Sequence, residues 1–392
     1  MSQQRACIVG WAHTQFGKSE DPDTESLMAR VSADALAHAG VDAAAVDGIY
    51  VGVMNNGFSK QDFQGALVAL GDERLAHTPS TRLENACATG SAAIYAAADF
   101  IASGRGRIAL VVGAEKMTAT PTAQVGDILL GASYRKEEAD VDGGFAGIFG
   151  RIAHHYFQRY GDRSEELARI AAKNHKNGVA NPYAHMRKDF GYDFCLKVSE
   201  KNPFVAGPLK RTDCSLISDG AAALVLADED TARTLARAIG FRARSHVNDF
   251  LPLSRRDPIA FEGGRRAWTG ALAQAGMTLD DLSLVESHDC FTIAELIEYE
   301  AMGLVPPGQG HRVVREGIAE KDGRLPINPS GGLKSKGHPI GATGVSMHVM
   351  AAMQLTGDAP GEMQIKGAKV AGVFNMGGTS VANYVSILER VK

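Results

Sequence analysis

The chain has 392 residues, 22% of them charged and 45% hydrophobic, which is long enough for two to three domains and too apolar for a disordered chain. A net charge of −4 and a pI near 6.3 leave no basic footprint for nucleic acid. Five scattered cysteines (Cys7, Cys87, Cys195, Cys214 and Cys290), without a CxxC pair, argue against a disulfide framework or a structural zinc site and for a reducing compartment. The N-terminus has no basic leader and no apolar run of about 18 residues, so neither a signal peptide nor a membrane span is predicted. The end, Ser-Ile-Leu-Glu-Arg-Val-Lys, is not a peroxisomal signal, and the expected location is the cytoplasm.

In chain order, a strand is predicted at 6–12, an Ala-rich helix at 26–39, a strand at 46–52, a second Ala-rich helix at 88–103 and a strand at 107–115. Gly40 and Gly104 stand where left-handed helix ends belong. This alternation predicts an α/β fold with a largely parallel sheet.

The second half repeats the order. Ala35 to Gly40 is matched by Ala271 to Gly276, offset by 236 residues, and Ala88-Thr89-Gly90 by Ala342-Thr343-Gly344, offset by 254. The strand at 107–115 is matched by 368–376. Three matches in one order argue for a duplicated βαβα unit. The stretch at about 118–207, rich in aromatics, histidine and charge, breaks the repeat and reads as an insertion over one face of the core. A buried strand at 218–230 returns to the first half, giving an N-terminal half at 1–240 and a C-terminal half at 241–392.

Cys87 sits at the start of the second Ala-rich helix, where free N–H groups favour a thiolate and a developing oxyanion. The helix dipole supplies only about 0.3–1 kcal/mol, so a neighbouring base is required. The segment alone reads equally as a small buried cysteine packed like alanine. By the pseudo-symmetry, His338 in Gly-His-Pro occupies the corresponding loop of the second half, facing the same crevice as a base would, although a Gly-His-Pro turn is also ordinary loop chemistry. His288 and Cys290, in Ser-His-Asp-Cys-Phe, lie at a strand-to-helix edge suited to an oxyanion donor and a proton carrier, with Asp289 between them as a helix N-cap. Asn375-Met376-Gly377-Gly378 ends the last apolar strand, and its glycines either bring backbone N–H groups to a ligand or form a tight turn. Cys7, Cys195 and Cys214 read as structural, His154-His155 as packing or surface, and no metal site is expected. Gly143 to Gly150 only loosely resembles a nucleotide fingerprint, and there is no Walker sequence.

Together, Asn85-Ala86-Cys87-Ala88-Thr89-Gly90-Ser91, His288-Asp289-Cys290-Phe291, Gly337 to Gly344 and Asn375-Met376-Gly377-Gly378 resemble the thiolase superfamily. More narrowly they are similar to its sterol-carrier-type branch, with His-Asp-Cys-Phe in place of the more usual Asn-Glu-Ala-Phe. The resemblance implies a duplicated βαβαβαββ fold in five layers (α-β-α-β-α) with an inserted loop domain. It also implies an acyl-CoA C-acyltransferase that cleaves a 3-oxoacyl-CoA with coenzyme A, or runs the reverse Claisen condensation. Cys87 would be the acylated nucleophile, His338 its activator and Cys290 the acid/base. His288 would hold an oxyanion-hole water, with His338 polarising the thioester oxygen, and the N–H groups of Gly377 and Cys87 would form a second oxyanion hole. Coenzyme A would be a substrate rather than a resident cofactor, at binding residues left unassigned; the basic residues of 173–178 and 207–213 are candidates for its phosphates. The resemblance further implies at least a homodimer. The alternatives are a condensing or retro-aldol enzyme on the same scaffold, or an acyl-CoA-binding subunit, working with a small OB-fold/zinc-ribbon partner. One departure stands out: Asn375 occupies the position of the usual second cysteine. No sterol-carrier module follows residue 392, which argues against a sterol role.

Overall fold

The computed structural model describes residues 5–392. Its strands are β1 (Ala6–His13), β2 (Gly48–Gly52), β3 (Ser80–Leu83), β4 (Ile108–Glu115), β5 (Phe204–Ala206), β6 (Leu209–Lys210), β7 (Gly220–Asp228), β8 (Ile239–Asn248), β9 (Leu284–Glu286), β10 (Val370–Gly377) and β11 (Ala382–Arg390). β5 and β6 form a small hairpin, and the rest form one sheet in the order β3-β2-β4-β7-β1-β8-β11-β10-β9.

The duplication is visible in this order. In the first half β2, β4, β7 and β1 lie side by side, and in the second β9, β10, β11 and β8 do the same. A parallel bridge between Val285 and Ile327 stands where β3 pairs with β2 in the first half. The halves meet at a short seam between β1 and β8, where Cys7 faces Gly240 and Ile8 faces Ile239. The sheet is mixed, not largely parallel. Helical crossovers keep β2, β3 and β4 parallel, and likewise β9 and β10, but β7 and β11 run antiparallel to both of their neighbours. The sequence pattern does not predict β11, because its buried Asn383 and Ser386 mask the apolar period of a strand.

Helix placement follows from the sequence pattern. The helix Thr24–Ala39 opens on Asp23, whose carboxylate accepts from Ser26 N at 2.8 Å, and closes on Gly40 at φ 68°; its counterpart Glu262–Ala275 closes on Gly276 at φ 65°. Leu27, Met28, Val31 and Ala35 pack on one face of the first half-sheet, against Val9, Val51, Leu110 and Val112. The alternate strand residues Ile8, Ala109, Val111 and Leu224 point the other way, into the central core. A fully buried Leu or Val there contributes about 1.5–3 kcal/mol before conformational entropy is charged.

That central core holds the two duplicate helices, Thr89–Ala102 and Ile340–Thr356, between the half-sheets, with Thr24–Ala39 and Glu262–Ala275 outside. They touch where their Ala-Thr-Gly motifs meet. A Cβ on Gly90 would lie 2.7 Å from Val345 N, a distance no real Cβ contact tolerates, so glycine there sets how closely the helices approach. Because both helices begin at this contact, the loops that precede them, carrying Cys87 and His338, arrive at one place.

The segment between β4 and β7 contributes the helices Thr122–Leu129, Gly144–Tyr160 and Ser164–Gly178. It docks on the second half, where Phe149 stacks on Phe291 with ring centroids 4.4 Å apart. Among the described residues, no helix is long and apolar enough to cross a membrane.

Candidate active site

Cys87 lies on a tight turn between β3 and its helix. Ala86 takes a left-handed φ of 49°, and Ala88 N donates to Asn85 O at 3.0 Å, which folds the chain so that Cys87 projects at the helix start. Strain of this kind in a residue with a side chain persists only where its surroundings hold it. Here the end of β10 does so. A side chain on Gly377 would press on Asn85 O and lie 3.3 Å from Ala88 N, so only glycine lets that strand reach the turn. The next N–H, that of Gly378, points its dipole at the Cys87 sulfur closely enough to pull the thiol pKa down against the effect of burial. In the sequence, Gly378 is distinguished only as a member of a glycine pair.

The structure brings Cys87, His288 and His338 together, with one donor atom from each within 4.8 Å of the others. All are buried: Cys87 is 3% exposed, His338 6% and His288 0%. The imidazole rings of His288 and His338 meet edge to face at 5.1 Å. Cys290 joins Cys87 and His338 in the wall of a cavity of about 260 Å³, and a Cys87 charge would raise its pKa. Among the described residues, Cys87, His288 and His338 are also the grouping of donors nearest to metal-ligand spacing, and it offers three ligands.

Hydrogen bonds assign the two imidazoles different tasks. His338 Nδ1 lies 2.6 Å from Thr343 Oγ1, whose own proton goes to Pro339 O at 2.9 Å. Nδ1 is therefore the donor, and Nε2 carries a lone pair, as a base requires. His288 is the reverse. Asn375 Nδ2 donates to Cys87 O at 3.0 Å and to His288 Nδ1 at 2.9 Å, while Asn375 Oδ1 accepts from Ser91 Oγ at 2.7 Å. The carbonyl of Cys87 can only accept, which fixes the amide orientation, so His288 Nδ1 accepts and Nε2 carries the hydrogen. Neither Nε2 has a partner in the protein. The site thus presents one buried base and one buried donor.

Asn375, which replaces the second cysteine of the usual pattern, is accordingly the joint between the Cys87 turn, His288 and the central helix. Its signal in the sequence is only an unexpected amide. Asn375→Asp puts a carboxylate against the Cys87 carbonyl and demands a proton on His288 Nδ1. The expected result is a fall in kcat of about 10²-fold without a matching rise in KM. An unchanged kcat would show that His288 needs no such orientation.

The electrostatics correct one expectation. Burial pushes the Cys87 thiol up to about 12, and burial with the nearby Lys336 charge holds His338 down to about 3. The resting pair is neutral thiol and neutral imidazole, not the thiolate paired with imidazolium that a helix N-terminus suggests. Burial also holds His288 well below the usual range and Cys290 well above it. A thiol in this setting becomes a nucleophile only by giving up its proton to a neighbouring base.

Surrounding polar groups lock these loops. Glu115, pushed by burial up to about 7, accepts from Met54 N, Asn55 N and Gly341 N at 2.9–3.0 Å, tying the helix that follows His338 to the loop after β2. Glu298 accepts from the Ser287 hydroxyl. Asp289 does cap a helix, but not the one that follows it. It accepts from Leu333 N at 2.6 Å and Lys334 N at 3.1 Å, because the chain from β9 turns it towards the short helix Gly332–Lys336. Cys214, read from the sequence as structural, stands close to the site. It lines the cavity next to Cys290, whose carbonyl accepts from Ser215 N at 2.9 Å. Cys7 and Cys195 sit in separate cores. Of the basic residues considered for phosphates, Lys173 pairs with Glu295 and Lys210 with Asp213, both inside the protein, while Lys176 and Arg211 remain exposed.

Comparison with known proteins gives the family. Residues 6–190 match the thiolase N-terminal domain and residues 245–390 the thiolase C-terminal domain-like family. The chain is 35% identical to an acetyl-CoA acetyltransferase of Methanothermobacter thermautotrophicus, over 98% of this chain and 99% of that one. The chain belongs to the thiolase family. This thiolase-family acyltransferase is also 33% identical to human sterol carrier protein 2, over 95% of this chain and 70% of that protein. Its fold superposes on a structure of the Ltp2-ChsH2(DUF35) aldolase with a TM-score of 0.84 at 20% identity, covering 99% and 98% of the two chains. It superposes on the acetyl-CoA acetyltransferase of Syntrophomonas wolfei with a TM-score of 0.74 at 18% identity, covering 99% and 100%.

Proposed function

We propose that this chain cleaves 3-oxoacyl-CoA esters with coenzyme A, or runs the reverse condensation, through an acyl-Cys87 intermediate. The observation that carries the reading is the meeting of Cys87, His288 and His338, one donor atom from each within 4.8 Å of the others, with both imidazole Nε2 atoms unpartnered in the protein and Cys290 in the same cavity as Cys87 and His338. The Cys87 sulfur attacks the 3-oxo carbon as its proton passes to His338 Nε2, and the C2–C3 bond breaks. The electron pair leaves as the enolate of acetyl-CoA, which takes a proton from the Cys290 thiol. An incoming coenzyme A thiol returns a proton to Cys290 and attacks the acyl group, and the Cys87 sulfur recovers its proton from His338. His288 Nε2–H, with His338, stabilises one oxyanion; the N–H groups of Cys87 and Gly377 are proposed for the other, with Gly378 beside them.

Coenzyme A is a substrate in this scheme, and no resident cofactor or metal is needed. The division into halves at about residue 240, with 118–207 as a loop domain, accompanies the reading. A cytoplasmic homodimer or higher assembly is the proposed setting; the five free cysteines suit a reducing compartment. A small OB-fold partner is the second reading, favoured by the DUF35 component named for the aldolase neighbour and by Val205 and Ile217 exposed at the cavity mouth. Retention of Cys87, Cys290 and His338 favours thiolysis over aldol cleavage.

Thiolysis of acetoacetyl-CoA and longer 3-oxoacyl-CoA esters, with and without co-purifying protein, tests the proposal, and failure on every ester would defeat it. The neutral resting pair predicts the pH dependence. His338 protonates only near 3 and Cys87 ionises only near 12, so neither is expected to add a limb to Cys87 acylation from the free enzyme between about pH 6 and 9, where Glu115, near 7, is a buried group that changes charge. An acid limb with a midpoint near 6.5 that vanishes in His338→Ala would show instead that the imidazole titrates normally.

A further inference from the structure

The cavity at Cys87 is about 260 Å³, and among the described residues no Asp, Glu, Lys or Arg side chain lines it. Met117, Val125, Ala132, Phe145 and Phe291 form its buried wall. The helix Thr122–Leu129 presents Thr122, Val125, Gly126 and Leu129 to it, at the i, i+3, i+4 and i+7 positions of one face. At the middle of that face stands Gly126. Glycine weakens a helix interior, yet a Cβ built there meets nothing within 4 Å, and its φ is not in the left-handed region. Neither backbone conformation nor crowding requires glycine, so the space beside it is available to a ligand.

The geometry points to an acyl pocket that selects uncharged aliphatic acyl groups longer than acetyl, with Gly126 setting its depth. The inference rests on the thiolase reading and narrows its substrate class. A volume of about 260 Å³ equals on the order of eight water volumes at about 30 Å³ each, shared between the reacting carbons at Cys87, Cys290 and His338 and the acyl chain beyond them, and an acetyl group leaves most of that space unfilled. A terminal carboxylate has no cation to meet in this wall, so a dicarboxylic acyl group loses its hydration without repayment.

The experiment is a thiolysis panel of acetoacetyl-, 3-oxohexanoyl-, 3-oxodecanoyl- and 3-oxoadipyl-CoA with the wild-type chain, Gly126→Ala, Gly126→Phe and Leu129→Ala. The expected wild-type order places the six- and ten-carbon esters at least about tenfold above acetoacetyl-CoA in kcat/KM, and 3-oxoadipyl-CoA below its uncharged six-carbon analogue. In Gly126→Phe the ratio of kcat/KM for the ten-carbon ester to that for acetoacetyl-CoA falls at least about tenfold, while Leu129→Ala raises it. Gly126→Ala, with a matched melting temperature, shows that the helix tolerates a side chain. If Gly126→Phe does not fold, the direction of the Leu129→Ala shift decides alone. A preference for acetoacetyl- or 3-oxoadipyl-CoA, or a chain-length profile unmoved by both variants, overturns the pocket and leaves thiolysis standing. Cleavage of none of the four overturns the thiolase reading and the pocket with it.

Discussion

Cys87→Ala is expected to lower thiolysis by about 10⁴-fold or more and to abolish acyl-enzyme formation, while the fold remains intact. The magnitude follows from what is removed. The N–H groups at the turn, the His288 donor and the His338 base all surround the sulfur, and without it they have no covalent intermediate to stabilise. The fold should survive because the change deletes one buried sulfur beside Ala88 and leaves the hydrogen bonds of the Cys87 carbonyl and of Asn85 in place. Intact-protein mass spectrometry after exposure to an acyl-CoA is the decisive measurement. An acyl adduct on another residue of the variant, or turnover near wild type, would remove Cys87 from the mechanism.

Cys290→Ala has a different expected signature. Carbon–carbon cleavage should slow by about 10²- to 10⁴-fold, the usual contribution of a positioned acid/base, while the acyl group still loads onto Cys87 from a simple acyl-CoA. The distinction arises because in the proposed mechanism attack by Cys87 calls on His338, whereas the departing enolate calls on a separate proton donor. Burial and the nearby Cys87 charge keep the Cys290 thiol protonated, which is the form that can donate. Single-turnover kinetics separate the two steps. Loss of both at once would mean that the variant has disturbed the site as a whole, and loss of neither would mean that the proton comes from elsewhere.

How far the chemistry can be read before the fold is known differs from residue to residue. Cys87 and His338 each sit in a local pattern whose residue types need explaining, and the repeat relating their loops places them on one crevice with no coordinate in hand. Asn375 is the opposite case. Its identity is visible, but its task depends on Cys87, His288 and Ser91, which are far away in the chain and adjacent in space. Asp289 shows the same limit, since its cap serves backbone N–H groups more than forty residues further on. β11 escapes because hydrogen-bonded polar side chains inside a protein look like surface residues in a linear pattern: Ser386 meets Tyr95 and His348, and Asn383 meets Ser380.

By itself, the order of residues determined the duplicated α/β layout, the two Ala-Thr-Gly helices and the short list of reactive side chains. These depend on local periodicity, turn chemistry and self-similarity, which a linear pattern carries in full. Tertiary structure alone decided that the sheet is mixed, which imidazole nitrogen holds the lone pair and which the hydrogen, that the resting thiol is neutral, and that an uncharged cavity opens beside Gly126. Each of these depends on how much water is excluded and on which distant groups meet, quantities that come into existence only when the halves close on each other.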